Sequence, residues 1–329
     1  MKKKLRIGII GAGGIAGAHI KGYQSDDRAE IIGFYDTNLE AAKKRAGETG
    51  CKTFSTLDEM FRAGLDGVSI CTPPGTHKEL SIQALNAGLH VLCEKPFSTS
   101  ARDSLEMCRV AKKMKKKLLV GLKFRVELAL NRARQILNDG GIGQPLFFRQ
   151  WFSGNCDMSG RWFSQKQLSG GGPLMDNGAH GLDLVCFLFG RPRKVVATVR
   201  NVASSFDVED TAQVDLQMEN GVRGNGVYAW TTGGGPEYHT EIFGTKGAIF
   251  LWVGKVFWRT LEHPEMIIED CPNDPIIREV GHFLDCMEDP SRPCLLDGSI
   301  GYYNNLLIDA AYESARQDGE AITLKGEAL

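Results

Sequence analysis

The stretch Leu5-Arg6-Ile7-Gly8-Ile9-Ile10-Gly11-Ala12-Gly13-Gly14-Ile15-Ala16 decides the fold. The apolar run over 5–10 reads as a strand covered on both faces, and it breaks at once into glycine. Residues 11–16 then spell G-x-G-x-x-A. Glycine at 11 permits a tight turn, glycine at 13 lets a pyrophosphate approach the backbone, and a small residue at 16 lets the following helix pack close to the strand. Phosphate groups would meet the unpaired N–H groups and positive end of a helix starting near Ile15. In that context the pattern points to a dinucleotide. Asp36, at the end of the next apolar run, can accept hydrogen bonds from an adenine-ribose diol. Its charge would repel a 2′-phosphate, and Thr37-Asn38 supply no arginine to offset it, so NAD is expected over NADP.

Working outward, residues 5–121 alternate short apolar runs with amphipathic stretches. Strands are expected at 5–10, 30–35, 68–71, 90–93 and 118–122, with helices at 15–25, 39–49, 76–87 and 100–116. This β-α-β-α order predicts an open, doubly wound parallel sheet. Past residue 122 the pattern changes. A helix is expected at 126–138, and from Pro145 the chain becomes strand-rich, with strands at 195–202, 211–218, 222–231, 239–243, 248–251 and 255–258. A helix at Pro173–Phe189 interrupts them, and helices at 275–287 and 300–317 close the chain. We read residues 1–122 as a dinucleotide-binding domain. Residues 123–329 read as an α+β domain with a mostly antiparallel sheet. At roughly 150 residues per domain, 329 residues also predict two.

Composition narrows the function. Hydrophobic residues are 42% and charged residues 24%, which excludes wholesale disorder. A formal net charge of −1 gives no global field to hold nucleic acid or an anionic membrane. The start Met1-Lys2-Lys3-Lys4 and the apolar run after it imitate a secretory leader, but glycine at 8, 11, 13, 14 and 17 makes a poor helix. No apolar run reaches the roughly 18 residues needed to span a bilayer. The nine cysteines form no C-x-x-C pair and several sit in apolar runs, so we expect a reducing, cytoplasmic setting with no disulfide framework and no metal site.

Three further motifs carry chemistry. Cys71-Thr72-Pro73-Pro74-Gly75-Thr76-His77 leaves the third strand of this reading, and ligands lie beyond the carboxyl ends of such strands. Glu94-Lys95-Pro96 leaves the next one and puts a lysine at the same edge. In Asp176-Asn177-Gly178-Ala179-His180-Gly181-Leu182-Asp183 the spacing puts Asp176, His180 and Asp183 on one helical stripe. A histidine flanked by carboxylates suits a general base near neutral pH. The expected cofactor contacts are Gly11, Gly13, Gly14, Ile15, Asp36, Thr72, Pro73, His77, Glu94 and Lys95. Lys95, Asp176 and His180 are the expected catalytic groups, and Lys95, Arg125, Trp162, Asp176 and His180 the expected substrate contacts.

Taken together these motifs resemble the glucose–fructose oxidoreductase/inositol 2-dehydrogenase family, Gfo/Idh/MocA. The resemblance rests on residues 7–16, 71–77, 91–97, 170–183, 241–249 (E-I-F-G-T-K-G-A-I) and 310–317 (A-A-Y-E-S-A-R-Q). It implies an NAD(P)-dependent oxidoreductase acting on a secondary hydroxyl of a sugar or cyclitol. The family's catalytic lysine falls on Lys95, and its acidic residue and histidine fall on Asp176 and His180. A tryptophan often stands where Trp162 does. The resemblance further implies dimers or tetramers paired through the open sheet face. The departures are Ala16 in place of the third glycine and Phe124-Arg125 in a variable segment. Two other readings share the fold: a glycosidase that uses NAD without net redox change, and a sensor that binds the dinucleotide without turnover.

Overall fold

The computed structural model describes residues 3–325. Two compact units emerge. The first is built on β1 (Leu5–Ile10), β2 (Ala29–Tyr35), β3 (Lys52–Thr53), β4 (Gly67–Ile70), β5 (His90–Glu94) and β6 (Leu118–Gly121). Their order is β3-β2-β1-β4-β5-β6, every pairing parallel, which is the doubly wound order of a dinucleotide fold. The connections are α1 (Gly14–Gln24), α2 (Leu39–Thr49), α3 (Leu57–Phe61), α4 (His77–Asn86) and α5 (Ala101–Met114). β4 and β6 are buried along their whole length, as a sheet covered on both faces requires. Side chains of Asn38, Thr56 and Ser100 cap α2, α3 and α5, so those helix starts are satisfied locally.

The second unit carries α6 (Leu128–Asn138), β7 (Pro145–Ser153), α7 (Lys166–Ser169), α8 (Pro173–Phe189), β8 (Pro192–Arg200), β9 (Thr211–Met218), β10 (Arg223–Ala229), β11 (Thr240–Gly244), β12 (Gly247–Trp252), β13 (Lys255–Thr260), β14 (Ile267–Asp270) and β15 (Ile322–Thr323). The sheet order is β14-β13-β12-β11-β7-β10-β9-β8-β15. All its pairings are antiparallel except β7 with β10, which run parallel from Phe147 opposite Arg223 to Ser153 opposite Ala229. Leu174, Met175, Ala179 and Leu182 of α8 join the core with Phe148, Val214 and Tyr228. The other sheet face shows Phe147, Arg149 and Trp151.

Three differences from the expected layout have physical causes. β3, α3, β14 and β15 were not expected because they are short and partly polar. β7 was expected only as part of a strand-rich region, yet it is the middle of the second sheet. Its run Leu146-Phe147-Phe148 puts large apolar side chains on both faces, which erases the alternation that marks a half-buried strand. The third is the return of α9 (Pro275–Glu288): Asp274–Tyr302 belongs with the parallel sheet, whereas the rest of α10 (Gly298–Arg316), from Tyr303, belongs with the second unit. Val280 of α9 seats against Gly22 of α1, where an added Cβ would come within 2.8 Å of Val280 Cγ2.

The glycines give opposite predictions. At Gly172, just before α8, an added Cβ would lie 1.8 Å from the backbone oxygen of Glu209, whereas at Gly47, exposed within α2, it would meet nothing within 4 Å. Gly172→Ala should therefore lower stability by about 1–3 kcal/mol through overpacking. Gly47→Ala should raise it by about 0.5–1 kcal/mol through helix propensity. Denaturant melts of the two variants check both signs.

Candidate functional site

The glycine turn is built for a ligand with phosphates. α1 begins at Gly14 with Gly13 as its N-cap, and it has neither a side-chain cap nor an acidic residue in its first turn. Its first N–H groups are thus left for a ligand. Nothing would lie within 4 Å of a Cβ at Gly13 or Gly14. Gly11 sits at φ +96°, and a Cβ there would lie 2.5 Å from the backbone oxygen of Cys71, so this position needs glycine. Ala16 is fully buried, which closes α1 onto the sheet. Asp36 accepts from the Ala12 N–H at 2.7 Å on one oxygen and from the Asn38 N–H at 2.7 Å on the other. Its carboxylate is thereby fixed beside the turn. Sequence reading missed Arg45 of α2, whose guanidinium donates to the carbonyls of Ala12 at 3.4 Å and Gly13 at 3.2 Å.

Thr72 and Pro73 leave β4, and Glu94 and Lys95 leave β5, at the carboxyl edge shared with the glycine turn. The Lys95–Pro96 peptide is cis. Two expected cofactor contacts turn out to lie beneath this edge. His77 is fully buried, with Nδ1 at 2.9 Å from the Pro96 carbonyl oxygen and Nε2 at 2.7 Å from that of Thr72. It ties two loops together, and burial pulls its imidazolium below the ordinary range against the pull of the two carbonyls.

Glu94 is 7% exposed. It accepts from the Lys95 N–H at 3.0 Å and bonds His19 Nε2 at 2.9 Å. His19 Nδ1 meets Ser69 Oγ at 3.1 Å, and Ser69 Oγ meets Tyr23 Oη at 2.6 Å. Burial alone would raise the Glu94 carboxyl, but the bond to His19 and the charge of Lys95 outweigh it and hold the group below the ordinary range. A second carboxyl, Glu279 of α9, comes within 4.8 Å of Glu94 and His19. It is 0% exposed, and neither oxygen has a hydrogen-bond partner. Burial and then the charge of Glu94 push it well above the ordinary range, so it folds as the neutral acid.

In the second unit α8 is buried almost all round. Asp176, Asn177 and His180 are the half-buried positions of its first two turns. The Phe124 ring stands edge-on to His180, centroids 4.9 Å apart. Asp183 departs from the expected stripe function. It is buried and takes a forked ion pair from Arg125, with Nε at 2.8 and 2.9 Å and Nη2 at 2.7 Å. The expected substrate contact Arg125 is thus committed to an internal carboxylate, because leaving either charge buried and unpaired would be costly. Trp162 stacks on Phe163 at 3.7 Å, beside a small cluster of Met158, Val208 and Trp230. Sequence reading also missed His239. It is buried against the rings of Phe124 and Phe152, bonds Thr240 Oγ1 at 3.0 Å, and is kept neutral by burial, its pKa pulled to about 4.

A parallel sheet in this order, with an open glycine turn and an uncapped helix at its carboxyl edge, defines a dinucleotide-binding Rossmann protein. Comparison with known proteins makes the class specific. Residues 5–122 match the model of the oxidoreductase family with an NAD-binding Rossmann fold, and residues 130–250 match the Gfo/Idh/MocA C-terminal domain. The chain belongs to the Gfo/Idh/MocA oxidoreductase family. It is 31% identical over 230 residues to glucose-6-phosphate 3-dehydrogenase of Bacillus subtilis (strain 168), covering 66% of this chain and 65% of that protein. It is 33% identical over 195 residues to D-glucoside 3-dehydrogenase of Escherichia coli (strain K12), covering 57% and 55%. These matches thus span less than two thirds of either relative's length. Among solved structures, the WlbA dehydrogenase from Bordetella pertussis in complex with NADH and UDP-GlcNAcA shares 26% identity at a TM-score of 0.87, over 99% of both chains. No helix among the described residues is long and apolar enough to cross a membrane.

Glu279 yields a prediction with a definite sign. A carboxyl raised by folding stabilises fully below its ordinary value, near 4.5, and loses that contribution as pH climbs toward the raised value. Glu279→Gln keeps the shape and cannot ionise. The variant should match the parent in thermal stability below about pH 4.5 and gain on it steadily from there toward pH 8. Melting scans across that range check the trend, and a variant that loses ground with rising pH would contradict it.

Proposed function

We propose that this chain oxidises a secondary hydroxyl of a sugar or cyclitol, or reduces the matching ketone, with NAD as the hydride carrier. The observation that carries the reading is Asp176 and His180 half-buried, one turn apart, on a largely buried helix, in a chain of this oxidoreductase family. The residues fit the cofactor: the uncapped start of α1 suits a pyrophosphate, and the fixed Asp36 carboxylate suits a ribose diol. NAD held at the glycine turn and Asp36 would supply the hydride acceptor for the carbinol carbon. His180 takes the hydroxyl proton as general base. Asp176 orients the imidazole and balances its charge. Lys95 donates to the reacting oxygen and stabilises the negative charge that develops there. The two curated relatives are named as 3-dehydrogenases of hexose derivatives, which supports a pyranose-like substrate.

His180→Ala and Lys95→Ala should each lower kcat by about 10²-fold or more. NADH absorbance across a panel of inositols, aldoses, deoxy-sugars and amino sugars checks this. Full turnover in both variants at saturating substrate would overturn the assignment. NAD should be preferred over NADP by roughly tenfold or more in kcat/KM, the ratio set by about 1.4 kcal/mol of repulsion at Asp36. Asp36→Ala should narrow that ratio.

The same reading pairs subunits through the face of the second sheet that shows Phe147 at 45% and Trp151 at 39% exposure. Apolar residues on an open sheet face favour a covered state. Light scattering should give at least twice the chain mass, and Trp151→Glu should lower it.

A further inference from the structure

Cys286 and Cys294 stand at the two ends of the turn that joins α9 to α10. Their sulfurs and Nε2 of His282 all lie within 4.8 Å of one another. Cys286 is buried, one helical turn after His282, with Sγ 3.7 Å from that Nε2. Cys294 is half-exposed. Both ends of the turn are anchored. Asp289 accepts from the Ser291 N–H at 2.9 Å and from its hydroxyl at 2.6 Å. Leu296 accepts from the Val120 N–H of β6 at 2.8 Å, and Leu295 N–H donates to His282 Nε2 at 3.0 Å. The two sulfurs are therefore held in reach by bonded backbone on either side.

The Leu295 N–H identifies Nε2 as the acceptor nitrogen of His282. A metal cation on that nitrogen would displace the N–H for as long as it stayed bound, whereas a thiol proton in transit needs the lone pair only briefly. The two thiols bear on each other's ionisation. Their mutual bonding pulls the Cys286 thiol down and pushes the Cys294 thiol up, so the thiolate of the pair is Cys286.

We propose that Cys286 and Cys294 are an oxidation site that closes to an intramolecular disulfide with hydrogen peroxide. Peroxide is small enough to enter past the half-exposed Cys294. The Cys286 thiolate attacks one peroxide oxygen. An S–O bond forms, the O–O bond breaks, and the departing hydroxide takes up the proton that Cys286 gave up. The Cys294 sulfur then attacks the sulfenyl sulfur of Cys286. The S–S bond forms, the S–O bond breaks, and the Cys294 proton passes by way of His282 Nε2 to the departing hydroxide. In sum, two thiols and one peroxide give one disulfide and two waters.

The test uses the full chain, treated with peroxide, quenched with an alkylating agent, digested with trypsin and weighed. Pro293 follows Arg292, so trypsin spares that bond and both cysteines stay in one peptide. That peptide should appear two hydrogens lighter and without alkyl groups, and should return to the doubly alkylated form after dithiothreitol. Cys286→Ser and Cys294→Ser should each abolish the light species. His282→Gln should slow its formation about 10-fold or more. The proposal is overturned if the peptide stays doubly alkylated, or gains only oxygen, at a peroxide dose that oxidises the exposed Cys156. It is equally overturned if the light species persists in either serine variant.

Discussion

Glu94 closes β5 with a largely buried carboxylate, and the first unit is arranged around that fact. One oxygen holds the backbone N–H of Lys95, the other holds His19 of α1, and His19 passes the chain on to Ser69 of β4 and Tyr23 of α1. A buried carboxylate is tolerable only when its lone pairs are filled. The network therefore fixes the height of α1 over the sheet and the course of the chain at Lys95 together. Loss of His19 would leave the Glu94 charge without its side-chain partner in the interior, an effect of about 3–5 kcal/mol. Glu279 sits against the same group and adopts the other solution open to a buried acid: it keeps its proton. One of the two carboxyls is ionised and the other neutral because like charges this close cannot both be carried in a low dielectric.

The second unit reaches a comparable end by packing. α8 must lie close to β7 and β10, and it does so through glycine: a Cβ at Gly181 would come within 2.6 Å of Tyr228 and 3.0 Å of Gln150. Burial on nearly every side leaves Asp176, Asn177 and His180 as the polar stripe of its first turns. Asn177 is anchored by its own bond to the Phe152 carbonyl at 2.8 Å, and Asp183 is spent on Arg125. What the helix presents is thus an acid and a histidine whose backbone is immobilised, the condition a positioned general base requires.

This division explains what could be read in the sequence. The strand, the glycine turn, the carboxyl-edge loops and the bounds of α8 follow from local rules, because each is set by residues close in the chain. His77, Arg125 and Glu279 were beyond such rules. Each carries a residue type that reads equally as ligand contact or as solvated surface, and its role is decided by a partner far away in sequence: the Pro96 carbonyl, Asp183 and Glu94. The pairing of β7 with β10 and the return of α9 to the first unit are long-range facts of the same kind. His282 and Cys286 lie four residues apart on α9 and went unread in the sequence, and only the fold brings Cys294 to them.

The same logic locates specificity where no motif lies. The motif boxes carry the groups proposed for a task common to any hydroxyl: a base, an oxygen-stabilising cation and a phosphate cradle. Around His180 the remaining wall is aromatic, with Phe124 edge-on to its ring and Phe152 and His239 beyond. Burial holds His239 neutral, so it cannot compete with His180 for a proton at neutral pH, and its ring serves as one more flat, weakly polar surface. Such faces discriminate by shape and by the C–H face a ring presents. On the proposed function, a change of substrate should therefore map to these aromatic positions and leave Lys95, Asp176 and His180 untouched, because altering the wall changes which ring is held while altering the proposed catalytic groups would abolish what is done to it.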